Sequence, residues 1–353
     1  RSNNLKKGKI SNYVETYEII PLEDAGEESI VANIFSVKFS SEYIYILENI
    51  ISKRQSIIVF DKNGKFVSRI WKQGRGPMEY QSISQIDVHP VKNFVSVLDP
   101  GTRKILNYTS TGEFIGSVKL NHYAKEICYF QQKDQVYLAL STHKSKTYKE
   151  NNYDIVVLND NYEVIQESIQ FTEPQGVVLG NGISFNKRSD HVNYYMQNTN
   201  IIYTILPNKS FPNYYLKFSK EILPENKIMT AFQGNYKLFE DHIHSINYFE
   251  TSEQLVVVYS CAKDAYLGLY DKINKQSLVI PAPKDSECDC RLNLRFAGTT
   301  ENHIVLSADG TNILQTIDAI DPYKDKCLNN IDTIVKNLDI TSNPVLIKLK
   351  LRM

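Results

Sequence analysis

Short apolar runs recur along the chain, separated by polar segments that carry turn residues. Val, Ile, Tyr and Phe dominate these runs, and such residues favour strands over helices. The six clearest runs are YIYIL from Tyr43, FVSVL from Phe94, VYLAL from Val136, VNYYM from Val192, LVVVY from Leu255 and HIVLS from His303. The pattern predicts an all-β chain built from repeated units.

The spacing of the runs indicates the size of one unit. Their midpoints lie about 52 residues apart on average, which suits one four-stranded antiparallel sheet per repeat. A further strand is predicted upstream, such as SQIDVH from Ser84 and KEICYF from Lys125, and it would lie innermost around an axis. One such sheet has two apolar faces that it cannot bury alone, so neighbouring sheets stack and the ring closes. We therefore expect a six-bladed β-propeller of four-stranded antiparallel blades.

The most distinctive stretch runs from Ile57 to Tyr80 and combines a hairpin with a crossover loop. Asn63 and Gly64 supply the positive φ values that a short antiparallel turn needs. A second segment, NYTSTGEFIGSV from Asn107, aligns with this hairpin without gaps, and the alignment matches Gly112 with Gly64. The hairpin is therefore predicted to join the third strand of a blade to the outermost one.

The two ends of the chain are predicted to close the ring. Residues 14–20 form an orphan strand before the first repeat, and residues 343–352 form another after the last. We expect both strands to complete the final blade, which protects edges that would otherwise be exposed. The predicted organisation is a flexible tail over residues 1–12 and a single propeller domain over residues 13–353. Short helical insertions are predicted within residues 217–236 and 318–338.

Composition narrows the classes of partner. The 40 basic residues equal the 40 acidic residues in number, so no overall field favours nucleic acid. With a mean hydropathy of −0.34 and no long apolar run, no transmembrane span is expected. Among the five cysteines, Cys128 and Cys261 are expected to be small core residues. An alternative is that Cys288 or Cys290 pairs with Cys327.

The hairpin VFDKNGKF followed by GRGPMEY resembles the signature of six-bladed β-propeller proteins common in Bacteroidetes. That family is similar to NHL-repeat propellers and usually shows a G-x-G-P-G-E-Y/F loop. Gly74, Gly76, Pro77, Glu79 and Tyr80 match this loop, whereas a methionine stands at position 78 where the family usually has glycine. We expect Glu79 to bond backbone amides of its own crossover and Tyr80 to pack between blades.

The resemblance also implies a location. Members are often predicted lipoproteins of the cell envelope, periplasmic or attached to the outer membrane. A lipid-bearing cysteine immediately before Arg1 would suit this chain. The expected protein is thus an envelope protein, monomeric, whose lipid anchor would have been lost with the N-terminus.

The site has to be sought separately, because one fold hosts many functions. A propeller usually binds at the mouth of its central channel, where crossovers enter the innermost strands. This rule selects as ligand-binding residues Gln85, Glu126, His242, His244 and Arg295. No nucleophile elbow, HExxH helix or phosphate loop is present, so catalytic residues are not predicted.

Two functions follow from this reading. The first is a non-enzymatic binding or scaffold protein that recognises a protein or a glycan on the channel-mouth face, without a cofactor. The alternative is an NHL-like lyase or hydrolase that uses a divalent metal in the central channel. The alternative depends on His242 and His244 lying on one face of a strand, with Glu126 or Asp241 as an oxygen donor.

Overall fold

Strands of the chain form six separate sheets, and each sheet has four antiparallel strands. The computed structural model describes residues 8–49, 55–142, 152–171, 184–282, 294–309, 312–329, 331–336 and 342–353. The first strands of the sheets contact one another around a common axis, so the sheets are the blades of a ring. The predicted six-bladed β-propeller is confirmed.

The strands are numbered along the chain. The first is β1 (Val14–Pro21). Blade 1 contains β2 (Ile34–Phe39), β3 (Tyr43–Asn49), β4 (Gln55–Asp61) and β5 (Phe66–Ile70). Blade 2 contains β6 (Gln85–Val88), β7 (Val95–Asp99), β8 (Lys104–Tyr108) and β9 (Phe114–Lys119). Blade 3 contains β10 (Ala124–Gln132), β11 (Gln135–Thr142), β12 (Tyr153–Asn159) and β13 (Val164–Gln170). Blade 4 contains β14 (Phe185–Lys187), β15 (Val192–Tyr195), β16 (Ile201–Leu206) and β17 (Lys209–Tyr215). Blade 5 contains β18 (Ile243–Glu250), β19 (Gln254–Cys261), β20 (Asp264–Asp271) and β21 (Gln276–Pro281). Blade 6 contains β22 (Arg295–Thr299), β23 (Ile304–Ala308) and β24 (Val345–Leu351), and β1 is its outermost strand.

The last blade joins the two ends of the chain. Strand β24 pairs with β23 on one side and with β1 on the other, in a register that runs from Val14 opposite Leu351 to Pro21 opposite Val345. Both end strands therefore complete the final blade, as predicted. Residues 10–13 precede β1 as a 3-10 helix in which Ile10 is buried. The boundary of the predicted tail at residue 12 stays a prediction.

Six clusters of buried apolar side chains hold the ring together, and each cluster contains residues of two neighbouring blades. Tyr80, for example, is fully buried between blades 1 and 2. Cys128 lies in the cluster between blades 3 and 4. Cys261 is partly buried and Cys327 is a free thiol, while Cys288 and Cys290 fall outside the described residues. The hydrophobic core thus forms between stacked blades, because a single sheet cannot bury its own apolar faces.

The hairpin between β4 and β5 shows why the repeat needs its turn residues. Asp61 Oδ1 accepts hydrogen bonds from the amides of Asn63 and Lys65 at 2.8 and 2.9 Å, and Gly64 has a φ of +87°. A β-carbon at Gly64 would lie 2.0 Å from the carbonyl oxygen of Pro21. Gly112 repeats this conformation in blade 2, with a φ of +84°. The predicted superposition of the two glycines reflects one shared turn.

Helices occur in two insertions. Helices α1 (Glu225–Phe232) and α2 (Lys237–Asp241) stand between β17 and β18, and α3 (Ile313–Ile320) and α4 (Ile331–Lys336) stand between β23 and β24. The second insertion runs along the outer edge of blade 6, where residue 327 forms a parallel bridge with Tyr17. Asn329 continues this contact by bonding both the amide and the carbonyl of Ile19. The insertion thus covers the edge strand that ends the sheet.

Candidate functional site

The two ends of the ring differ in which connections they carry. Because each innermost strand begins where a blade-to-blade crossover arrives, all crossovers share one end, here called the crossover face. The connections between second and third strands return to the same end, since neighbouring strands are antiparallel. Both helical insertions therefore start and finish at the crossover face. The turns between first and second strands lie at the opposite face.

A cleft of about 790 Å³ opens at the crossover face between blades 5, 6 and 1. It is called the crossover cleft below. Its polar lining includes Asn33, Ser245, Asn247, Ser260, Arg295 and Asp309, and its aromatic lining consists of Phe35, Phe249 and Phe296. The volume is within the range of small-ligand sites.

Strand irregularities shape this cleft. The pairing register shifts between Ile34 and Ser36 in blade 1 and between His244 and Asn247 in blade 5. A β-bulge places an extra residue in one strand and turns its side chain away from the regular alternation. Phe35 is the extra residue in blade 1 and is 40% exposed. Bulged backbone therefore directs an aromatic ring into the cleft.

The charges in the cleft come as a pair. Arg295 Nη1 lies 3.0 Å from Asp309 Oδ2, and the arginine side chain is 58% exposed. Next to Arg295, the ring of Phe296 stacks on Phe249 with centroids 4.7 Å apart. An exposed ion pair of this kind gains little stability. Its guanidinium nevertheless presents donors to the cleft beside an aromatic surface.

Of the five predicted ligand-binding residues, only Arg295 lines the crossover cleft. Gln85 is 2% exposed and its Oε1 accepts a hydrogen bond from Ser36 Oγ at 3.2 Å. Glu126 is 5% exposed and its Oε2 accepts one from the Ser184 amide at 2.7 Å. Burial raises the pKa of Glu126. These two side chains join blade 1 to blade 2 and blade 3 to blade 4.

The two histidines lie on blade 5 beside the first helical insertion. His242 Nδ1 donates to the carbonyl oxygen of Leu238 at 2.9 Å. His244 Nδ1 lies 3.1 Å from Ser245 Oγ, and its ring contacts Phe239 edge-on at 4.9 Å. Across the described parts of the chain, no three His, Cys, Asp or Glu side chains form a group that could hold a metal ion. The set on which the metal alternative depends is therefore not assembled there.

The signature loop has the geometry of a folded crossover. Glu79 Oε2 accepts a hydrogen bond from the Gly76 amide at 2.8 Å, and the Gly74 amide donates to the carbonyl of Tyr80 at 2.9 Å. The hydroxyl of Tyr80 donates to the carbonyl of Gln55 at 2.7 Å. Pro77 is exposed beside them. The loop is thus held by its own backbone and by blade 1.

Sequence reasoning missed Asn33, Phe35 and Asn247. The rule that selects the start of each innermost strand would have found Asn33 and Phe35 if it had been applied to blade 1. Asn247 lies farther along its strand, behind the bulge that starts after His244. No pattern in the sequence marks that bulge.

Comparisons with known proteins agree with the fold. The chain resembles the crystal structure of a protein described as a putative exported protein from Bacteroides fragilis, with a TM-score of 0.78, 21% identity and coverage of 99% of this chain and 98% of that one. A member of the DUF4221 family from Bacteroides vulgatus gives a TM-score of 0.58 at 12% identity, covering 97% of this chain and 99% of that one. No curated protein matches the chain significantly.

A search of the described helices finds none with the length and apolar content to cross a bilayer. The expected likeness to six-bladed propellers of Bacteroidetes is confirmed in the fold, whereas the NHL-like and lipoprotein details stay predictions. The model of DUF4934, a domain of unknown function, matches residues 2–350. The chain therefore belongs to the DUF4934 family.

Proposed function

We propose that this protein is an exported, non-catalytic binding protein of the cell envelope that recognises a glycan in the crossover cleft. The observation that carries the proposal is the cleft's lining. It combines amide and hydroxyl side chains with an exposed aromatic ring, Phe35, and one exposed guanidinium, Arg295. Hydroxyl-rich ligands need many hydrogen-bonding groups and an apolar surface for their C–H faces.

The cleft favours a glycan over a protein partner for a physical reason. Protein interfaces depend on a well-packed apolar centre, whereas the cleft is a concave space of about 790 Å³ with a mainly polar lining. Arg295 is the one member of the predicted ligand set in this lining. His244 lies at its margin, next to the lining residue Ser245.

The proposed location of this protein is based on a structurally similar protein. The protein from Bacteroides fragilis is described as putatively exported, and the same destination is proposed for this chain, which we take to act as a monomer. The alternative of a metal-dependent lyase or hydrolase has no supporting group of ligands among the described residues. Fractionation of cells that make the full-length gene product would place the protein in the envelope or contradict this location.

A glycan array followed by calorimetry tests the binding role. We expect saturable binding of a glycan, weakened about fivefold or more by Phe35→Ala, because loss of one stacking ring removes about 1 kcal/mol or more. Arg295→Gln and His244→Ala are expected to weaken binding as well. Phe211→Ala is the matched control, since Phe211 is 38% exposed, close to the 40% of Phe35, and lies on an outermost strand. Absence of any saturable glycan, or equal effects of the two phenylalanine variants, would overturn the proposal.

A further inference from the structure

A second cavity lies on the axis of the propeller at the opposite face. It has a volume of about 300 Å³ and is called the channel cavity below. The innermost strands of all six blades contribute to its wall. Ser189 and Glu301, in turns between first and second strands, lie at its open end. The cavity is therefore separate from the crossover cleft and opens in the other direction.

The charges around the channel cavity do not cancel. Its wall contains the cations Lys38, Lys187 and Arg188 and the carboxylates Asp87 and Glu301. Two of the cations have partners in the wall, because Lys38 lies 3.8 Å from Asp87 and Arg188 contacts Glu301. One positive charge is left over when each carboxylate is assigned to its partner.

Lys187 carries that remaining charge. It ends the short strand β14 and is only partly exposed. Within the described ranges its side-chain ammonium group has neither a hydrogen bond nor an ion pair, whereas the side chains of its neighbours Asn186 and Arg188 bond blade 5. A partly buried ammonium group is costly to keep without a counter-charge. Among the described residues of the wall, Lys187 is therefore the cation whose charge is not matched by a paired carboxylate.

Lys38 and Lys187 lie near enough to blade 3 to act on the same buried thiol. Burial raises the pKa of the Cys128 thiol to about 12, and the positive charges of Lys38 and Lys187 oppose that rise. Burial also lowers the pKa of His89, and Lys187 adds to that effect. Two ammonium groups from blades 1 and 4 thus act on the same point of blade 3, where the carboxylates of Asp87 and Glu126 act in the opposite sense. Both residues line the channel cavity.

We propose that the channel cavity binds a small organic monocarboxylate, with Lys187 as its principal counter-charge. One uncompensated cation matches one carboxylate, whereas a phosphate dianion would leave a negative charge next to Asp87 and Glu301. Ser189 and Thr299 offer hydroxyl groups, and Phe185 offers an apolar surface. The volume suits a ligand about the size of one sugar acid.

Calorimetry with D-glucuronate as the probe tests this site at low ionic strength. D-glucose is the neutral counterpart of similar size, and inorganic phosphate is the competing anion. We expect the unaltered protein to bind glucuronate, to show no binding of glucose, and to bind phosphate more weakly than glucuronate. Lys187→Gln is expected to weaken glucuronate binding about tenfold or more, because a charge-assisted hydrogen bond is lost. Lys187→Arg should retain most of the affinity.

Lys119→Gln is the matched control, because Lys119 is an exposed lysine on an outermost strand away from the axis. It should leave binding unchanged. The proposal is overturned if the unaltered protein does not bind glucuronate, if glucose binds equally well, if phosphate binds more tightly, or if Lys187→Gln binds as the unaltered protein does. Thermal unfolding of each variant checks that the fold is retained.

Discussion

The carboxylate of Glu79 occupies the space beside the α-carbon of Gly74. A β-carbon at Gly74 would lie 1.9 Å from Glu79 Oε2, the atom that accepts the hydrogen bond from the Gly76 amide. The spacing of glycine and glutamate in the signature loop thus has a steric cause. Glycine at position 74 leaves room for the carboxylate that folds the crossover.

Gly74→Ala should destabilise the protein, because the methyl group displaces the Glu79 carboxylate and breaks its hydrogen bond. We expect a loss of about 1–2 kcal/mol in the free energy of unfolding, measured by denaturant titration. The same substitution in a Glu79→Ala background should cost much less, since the clashing group is gone. Gly116→Ala is the control, because nothing lies within 4 Å of a β-carbon there. Additive effects of the two loop substitutions would contradict this explanation.

Arg188 joins three blades at the opposite face. Its guanidinium donates to the carbonyl oxygens of Glu250 and Glu301, both at 3.2 Å, and its side chain is 4% exposed. Arg188→Ala leaves buried acceptors without donors, so we expect a loss of about 3 kcal/mol in unfolding free energy. Glu301→Gln should cost less than about 1 kcal/mol, because the Glu301 side chain is 48% exposed. Similar losses for the two variants would show that the ion pair, not the carbonyl contacts, matters.

Asp154 makes stability depend on pH. It is fully buried, its Oδ2 accepts a hydrogen bond from Tyr194 at 2.6 Å, and its Oδ1 has no hydrogen-bond partner among the described residues. Burial raises its pKa to about 6. A carboxyl group whose pKa is higher in the folded protein favours folding when protonated. Its contribution is therefore present at low pH and is lost as the pH rises from about 4 through about 6.

Asp154→Asn should remove this dependence. A shift of roughly two pH units corresponds to about 3 kcal/mol, so the variant should gain up to that much relative to the unaltered protein between pH 4 and pH 8. Urea titrations at several pH values measure the difference. Asp134→Asn, at an exposed turn position, should show no such gain. An Asp154→Asn variant whose relative stability does not change with pH would disprove the assignment.

Asn329 acts as a substitute for a neighbouring strand at the edge of blade 6. Its Oδ1 accepts from the Ile19 amide at 3.2 Å and its Nδ2 donates to the Ile19 carbonyl at 2.6 Å. Asn329→Ala should lower the unfolding free energy by about 1–2 kcal/mol. Asn161→Ala, at an exposed turn position, is expected to be neutral. Hydrogen exchange at Ile19 should accelerate in the first variant only, and unchanged exchange there would exclude this role.

Repetition made the fold readable from the sequence. Each blade repeats a local code, in which a β-rich strand is followed by a turn that requires a positive φ, as at Gly64 and Gly112. The conformation of such a turn depends on its own residues, so the turn can be recognised from the sequence. The closure of blade 6 was equally readable, because orphan strands at both ends of a repeat array have no other partner.

The site was decided by tertiary structure. Gln85 and Glu126 occupy the predicted position at the start of an innermost strand, yet their side chains turn sideways into hydrogen bonds with a neighbouring blade. Position along a strand does not determine whether a side chain faces the channel or the adjacent blade. That direction depends on bulges such as the one at Phe35 and on partners that lie 49 to 58 residues away. The sequence determined the ring of blades, and contacts between blades determined which side chains face its clefts.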